Sequence, residues 1–88
     1  MKQYIYTAET VQKNFLASYA DAWIRGEHLF LVNTLTDRQM ILSGEKGQLE
    51  ALLLALHQGV SDEELQLLLE AIDAQKDLEA LFREGLVE

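Results

Sequence analysis

The pattern of apolar and polar residues between residues 18 and 34 predicts two β-strands. In Tyr19–Arg25, small or apolar residues on one face alternate with larger or charged residues on the other, which is the two-residue period of a strand. Gly26 and Glu27 suit a two-residue reversal, because glycine adopts the positive φ of a tight hairpin turn. His28–Thr34 is apolar on both faces, which favours the central position in a sheet.

A polar turn and a third strand follow. The turn contains Asx and hydroxyl side chains, which can bond their own backbone and tolerate the left-handed region. These residues are Asn33, Thr34, Thr36 and Asp37. The third strand is predicted at Arg38–Leu42, and a meander of three strands leaves it at an edge of the sheet.

Leucines at helical spacing replace the strand pattern after Gly47. The first predicted helix has an apolar stripe at i, i+3, i+4 and i+7, and Gly59 closes it. Ser61 and Glu64 form a capping box, so a second helix is predicted to start at Asp62. The apolar stripes are Leu49, Leu52, Leu53 and Leu56 in the first helix, and Leu65, Leu68, Leu69 and Ile72 in the second.

A third helical segment is predicted at about Ala74–Glu84, and Gly85 ends it. Its apolar stripe is Ala74, Leu78, Leu81 and Phe82. Neither proline nor glycine separates this segment from the second helix. A break near Asp73 and one long helix are therefore both open.

The order of elements predicts an α+β fold, a three-stranded antiparallel sheet followed by three helices in a winged helix-turn-helix-like arrangement. Residues 18–88 form the predicted domain, and residues 1–17 form an N-terminal segment for which two interpretations are open. Tyr4, Ile5 and Tyr6 alternate as in a strand, whereas Thr7 could cap a short helix. As a strand, the segment could pair with an edge of this chain or of a second copy, which would allow a homodimer.

Charge and composition narrow the function classes. The net charge is −8, and all of it comes from residues 45–88, where eleven acids face three bases. Such a surface repels phosphate backbones, so nucleic acid is not an expected partner. Without cysteine the chain has no disulfide or cysteine-ligated cluster, and without a long apolar run or signal-peptide core it is expected in the cytoplasm and not in a membrane.

The sequence contains no group of residues at the spacing of a catalytic or metal-binding motif. The two histidines, His28 and His57, lie in different elements with no carboxylate at a ligand spacing, and no phosphate loop or nucleophile motif occurs. Acids after Ser61 are explained by the favourable field at a helix N-terminus. We therefore expect no enzyme activity, no cofactor and no metal.

Peptide capture by strand addition is the interpretation that the pattern leaves. The edge strand would supply main-chain hydrogen bonds, and a groove between it and the third helix would supply pockets. Met40 suits an adaptable pocket, and Arg38, Lys76 and Arg83 could steer the carboxylates of a partner. The alternative is a protein-docking or regulatory winged-helix domain that uses the acidic helical face.

Three runs of sequence carry a resemblance to a known family. They are SYADAWIRGEHLFLVNTLTDRQMILS, HQGVSDEEL and the closing LFREGLVE. Together they resemble the PqqD-like recognition elements of ribosomal peptide natural-product pathways, particularly the segment that opens many radical-SAM peptide maturases. The resemblance covers residues 18–88 and depends mainly on Asn33–Thr36 and on the order of elements.

This resemblance implies a non-catalytic domain that binds the leader region of a precursor peptide and delivers the core to a modifying enzyme. In the family the leader lies as an added antiparallel strand on the third strand, beside the third helix. The residues to which this points are Arg38, Gln39, Met40, Ile41, Leu42, Lys76, Leu78, Leu81, Phe82 and Arg83. Asp37 departs from the family, where related turns often have glycine. The radical-SAM enzyme would be a separate partner or another part of a longer protein.

Overall fold

The computed structural model describes residues 13–88 and shows an α+β fold, a three-stranded antiparallel sheet followed by three helical segments. The strands are β1 (Ala20–Arg25), β2 (His28–Asn33) and β3 (Arg38–Ser43), in the spatial order β1-β2-β3. The predicted strands and the central place of β2 are confirmed. The order of elements is the one expected of the predicted arrangement. The interpretations of Tyr4, Ile5, Tyr6 and Thr7 fall outside the described residues.

The first helix ends and the second helix begins where the local signals predict. Helix α1 spans Lys46–Gln58 and helix α2 spans Asp62–Ala71. Gly59 follows α1 with φ 95°, and its N–H donates to the carbonyl of Ala55. The hydroxyl of Ser61 accepts from the N–H of Glu64 at 3.2 Å, which is the main contact of a capping box.

A sharp turn separates α2 from the last helical segment. Asp73 has φ 58°, in the left-handed region, so the helix cannot continue through it. A 3₁₀ turn (Gln75–Asp77) and the short helix α3 (Leu78–Arg83) follow. Of the two alternatives that the sequence leaves open, the structure shows the break near Asp73. The segment predicted as one helix over about Ala74–Glu84 is divided into a 3₁₀ turn and an α-helix.

Leucines from all the helices pack on one face of the sheet, which we call the inner face. It presents Leu29 and Leu31 of β2 and Leu42 of β3 to the helices, and all three are buried. The helices contribute Leu49, Leu52, Leu56, Leu65, Leu69 and Leu81 to the same core, and Ile72 and Ala74 join it from the turn after α2. This burial of apolar area is the main source of stability for so small a domain.

Residues 13–17 join the core from the N-terminal side. Asn14 exchanges two main-chain hydrogen bonds with Val60, and Leu16 bridges Val87. The side-chain amide of Asn14 also donates to the carboxylate of Asp62 at 2.6 Å, at the start of α2. Within residues 13–88, no helix has the length and the apolar character that crossing a membrane requires.

Candidate functional site

The register of the sheet determines which main-chain groups of β3 are free. Glu27 accepts a hydrogen bond from Gly44 N–H at 3.0 Å, and the two residues stand opposite each other in the register of β2 and β3. Because hydrogen-bonded and non-hydrogen-bonded pairs alternate in an antiparallel ladder, every second residue of β3 bonds to β2. Those residues are Arg38, Met40 and Leu42, whereas Gln39, Ile41 and Ser43 direct their N–H and C=O groups away from the sheet.

Successive side chains of β3 point to opposite faces of the sheet. Met40 and Leu42 lie on the inner face, where Leu42 is buried and Met40 is partly buried against the core. Ile41 lies on the other face, which we call the outer face, and is 52% exposed. The predicted edge therefore offers main-chain groups at Gln39 and Ile41, and side chains on both faces.

The turn before β3 is built around Asn33. Its side-chain oxygen accepts from the N–H groups of Leu35 at 2.9 Å and Thr36 at 3.3 Å, which is the Asx turn that the sequence predicts. Its main-chain carbonyl accepts from Asp37 N–H at 2.8 Å. Asp37 adopts φ 63°, so aspartate occupies a left-handed position that glycine adopts more readily.

The side-chain amide of Asn33 reaches across the molecule to the end of α3. It donates to the carbonyl of Glu84 at 3.0 Å and, more weakly, to that of Gly85 at 3.5 Å. Gly85 has φ 73°, and a Cβ atom there would lie 2.8 Å from this amide nitrogen. Glycine is needed at this position for both reasons. Asn33 is buried, with only 4% of its surface exposed, and its hydrogen bonds join the start of β3 to the end of α3.

Arg38 and Arg83 meet at one carboxylate. Glu84 lies 3.5 Å from the guanidinium of Arg38 and 3.5 Å from that of Arg83, and Arg83 also lies 4.0 Å from Glu79. Both arginine side chains are mostly exposed, so water and salt screen these pairs. Two of the three bases expected to steer a partner are therefore already paired. Lys76, the third, is exposed in the 3₁₀ turn.

The predicted side chains of α3 point to different places. Leu81 is fully buried in the core and offers no surface. Leu78 and Phe82 line a cleft of about 540 Å³ on the side of α2, together with Asn14, Asp62, Gln66 and Glu79. The contact with the start of β3 comes instead from Glu84, the residue directly after α3, through its pair with Arg38. The structure thus separates Leu78 and Phe82 from the Arg38–Glu84 end of the edge.

An apolar row on the outer face contains one residue of the predicted site, Ile41, and two that were not part of it, Trp23 and Phe30. Trp23, Phe30 and Ile41 are partners in the register of the three strands. The rings of Trp23 and Phe30 stack with their centroids 5.5 Å apart and their planes at 6°. The alternation in β1 placed Trp23 on one face with Tyr19, Asp21 and Arg25. Only the strand register shows that Phe30 and Ile41 continue the row.

The histidines remain apart. His28 Nδ1 lies 2.9 Å from the hydroxyl of Ser43, and His57 is in the last turn of α1. Among residues 13–88, no three His, Cys, Asp or Glu side chains converge as metal ligands would.

No family model matches this chain, and searches of curated proteins and of solved structures gave no significant match. Its function is therefore argued from the geometry above and from the resemblance of its motifs.

Proposed function

We propose that this chain is a non-catalytic peptide-binding module. It takes up the leader region of a ribosomally made precursor peptide as an added antiparallel strand on β3, and it presents the core peptide to a modifying enzyme in the cytoplasm. The resemblance to PqqD-like recognition elements suggests that this enzyme is a radical-SAM maturase. The observation that carries the proposal is the outward direction of the main-chain groups of Gln39 and Ile41 on an edge strand.

Main-chain bonding to β3 gives affinity without fixing the sequence of the peptide. Gln39 and Ile41 each offer one N–H and one C=O, and such a hydrogen bond contributes a net stabilisation of about 0.5–1.5 kcal/mol. Ordering the backbone of an extended peptide opposes this by about 1–2 kcal/mol per residue. Backbone pairing alone therefore gives a weak complex, and side chains beside β3 have to supply the remaining affinity.

The inner side of β3 offers one set of side-chain contacts. It is closed at the start of β3, because Asn33 and Arg38 both bond to the end of α3. Met40 is partly exposed on this side, and its flexible thioether adapts to partners of different shape. The proposal places the inward-pointing side chains of the peptide between Met40 and α3. An acidic residue of the peptide at this end would compete with Glu84 for Arg38.

Amide shifts test the proposal directly. The isotope-labelled chain is titrated with the leader of a precursor peptide encoded beside it, and backbone amide resonances are followed. We expect the largest shifts at Gln39 and Ile41, whose N–H groups gain a partner. Shifts confined to α2 and α3, with β3 undisturbed, would contradict strand addition.

A proline at an outward position sharpens the test. Gln39→Pro removes an N–H that bonds no residue of the sheet, so the fold should persist while affinity for the leader falls roughly fivefold to tenfold. Ala22→Pro is the matched control. Thr34 N–H donates to the carbonyl of Tyr19, so by the same alternation Ala22 occupies an outward position on β1, at the opposite edge. Equal losses of affinity in the two variants would show that neither edge is the specific site.

One observation favours the alternative, a docking domain that uses the acidic helical face. Leu67 is 63% exposed on α2 and lines a depression of about 410 Å³ with Glu63, Gln66 and Glu70. Glu63→Lys with Glu70→Lys reverses charge there without touching Glu84, which is already paired with two arginines. A large loss of binding to the precursor or to the maturase would favour docking, whereas strand addition tolerates this change.

A further inference from the structure

The outer face of the sheet carries an apolar row that ends at β3, which is an edge strand within residues 13–88. Trp23, Phe30 and Ile41 stand side by side across the three strands, and Trp23 and Ile41 are 42% and 52% exposed. The stacked rings of Trp23 and Phe30 hold the first two members of the row in place. Ile41 is the last member, and its main-chain N–H and C=O groups point away from the sheet.

A strand added to β3 extends this row by one side chain. In an antiparallel pair, the residue directly opposite Ile41 projects its side chain on the same face, about 4.5–5.5 Å away between Cβ atoms. Its neighbours two positions away face Gln39 and Ser43, which are polar. The row thus presents one apolar position between two polar ones to any added strand.

We infer that the row of Trp23, Phe30 and Ile41 selects the peptide, and this inference rests on the proposed strand addition. The ligand is an extended peptide segment with an aromatic or β-branched residue opposite Ile41 and polar residues two positions to either side. Cross-strand pairs of these residue types stabilise a sheet beyond the main-chain bonds. The row therefore supplies sequence preference on the face of the sheet that the helices leave open.

Charge favours a peptide over a second copy of the chain as the occupant. The three strands contain one acid, Asp21, and two bases, Arg25 and Arg38, whereas residues 45–88 carry the net charge of −8. A peptide that lies along β3 therefore binds the part of the chain that carries little net charge. A second copy would bring its own eight negative charges to the complex, and the two chains would repel each other.

Selection from a library tests the inference. Random 12-residue peptides displayed on phage are selected against the full chain and against Ile41→Lys, whose new side chain is tolerated because residue 41 is half exposed. Leu35→Lys is the matched control, because Leu35 is exposed in the turn and outside the row. Peptides selected by the unaltered chain and by Leu35→Lys should share one aromatic or β-branched position. Ile41→Lys should select Asp or Glu there and bind the original peptides roughly threefold to fivefold more weakly.

The amide shifts of Gln39 and Ile41 separate the possible failures. In one outcome, the selected peptides shift both amide resonances, and those selected on Ile41→Lys show the same residue preference as those selected on the unaltered chain. That result would overturn the role of the row and leave strand addition in place. A failure to select peptides, or selected peptides that move neither amide, would overturn strand addition and the inference with it. A free chain that sediments as a dimer with both amides protected from exchange would assign the row to self-association instead.

Discussion

Both faces of the sheet carry apolar residues, but the inner face carries more of them and the two faces have different surroundings. Leu29 and Leu31 are fully buried on the inner face, whereas Trp23 and Ile41 remain about half exposed on the outer face. The difference lies in the helices, all of which contribute to the core on the inner side. Apolar residues at alternate positions therefore do not decide by themselves which face is covered. The face that stays open keeps apolar area available for a partner.

Truncating one residue on each face should give the largest contrast. Leu31→Ala removes a side chain that is fully buried and leaves a cavity, so the free energy of unfolding should fall by about 3–4 kcal/mol. Ile41→Ala removes a half-exposed side chain and should lower it by less than about 1 kcal/mol. Urea unfolding followed by circular dichroism measures both. Similar losses would mean that the outer face is also covered in solution.

Asn33 is the buried polar residue on the inner face, and removing its side chain should have the next largest effect. Asn33→Ala leaves two turn N–H groups and the carbonyl of Glu84 without this partner, which should lower the free energy of unfolding by about 2–3 kcal/mol. Asn33→Asp keeps the acceptor for the turn but places carboxylate oxygen beside the carbonyls of Glu84 and Gly85.

The two Asn33 variants separate the turn from the contact with α3. If the contact with α3 matters, Asn33→Asp should be at least as unstable as Asn33→Ala in the same urea assay. An aspartate variant close to the original stability would assign the role of Asn33 to the turn alone. Thr36→Ala changes an exposed turn side chain and serves as the control, with an expected loss below about 1 kcal/mol.

The features predicted correctly from the sequence are those that neighbouring residues determine. The hairpin at Gly26, the Asx turn at Asn33 and the cap at Ser61 each depend on residues within four positions of one another. The hydrogen bond from Asn33 to Glu84 joins residues 51 positions apart, so no local pattern predicts it. The same is true of the apolar row, which only strand register brings together.

The last helical segment shows where local patterns are insufficient. Asp73 ends α2 in the left-handed region although it is not glycine, so the sequence contains only a weak signal for the turn. Helix α3 has apolar residues on more than one side, namely Leu78, Leu81 and Phe82. The pattern therefore does not determine which side faces β3. The structure buries Leu81 and turns Leu78 and Phe82 toward α2.

Replacing Asp37 by glycine probes the turn that decides which face each side chain of β3 takes. Aspartate in the left-handed region is strained, so Asp37→Gly should raise the free energy of unfolding by about 0.5–1 kcal/mol, after the entropy that glycine adds to the unfolded chain. Asp73→Gly is the matched control at φ 58°, outside the turn that precedes β3. A loss of stability in Asp37→Gly with a gain in Asp73→Gly would show that the Asp37 side chain is needed to hold the register of β3.

The pair between Arg38 and Glu84 should contribute least. It joins the exposed end of β3 to α3 at 3.5 Å, and the Arg38 side chain is 68% exposed, so screening by water and salt reduces its value to less than about 0.5 kcal/mol. Arg38→Gln measured by urea unfolding should show a small loss at low salt that disappears at high salt, and Arg83→Gln should behave alike. A loss that persists at high salt would mean that Arg38 acts through the packing of its alkyl stem, because packing is not screened. In that case the start of β3 would belong to the buried inner face, and the open edge would begin at Gln39.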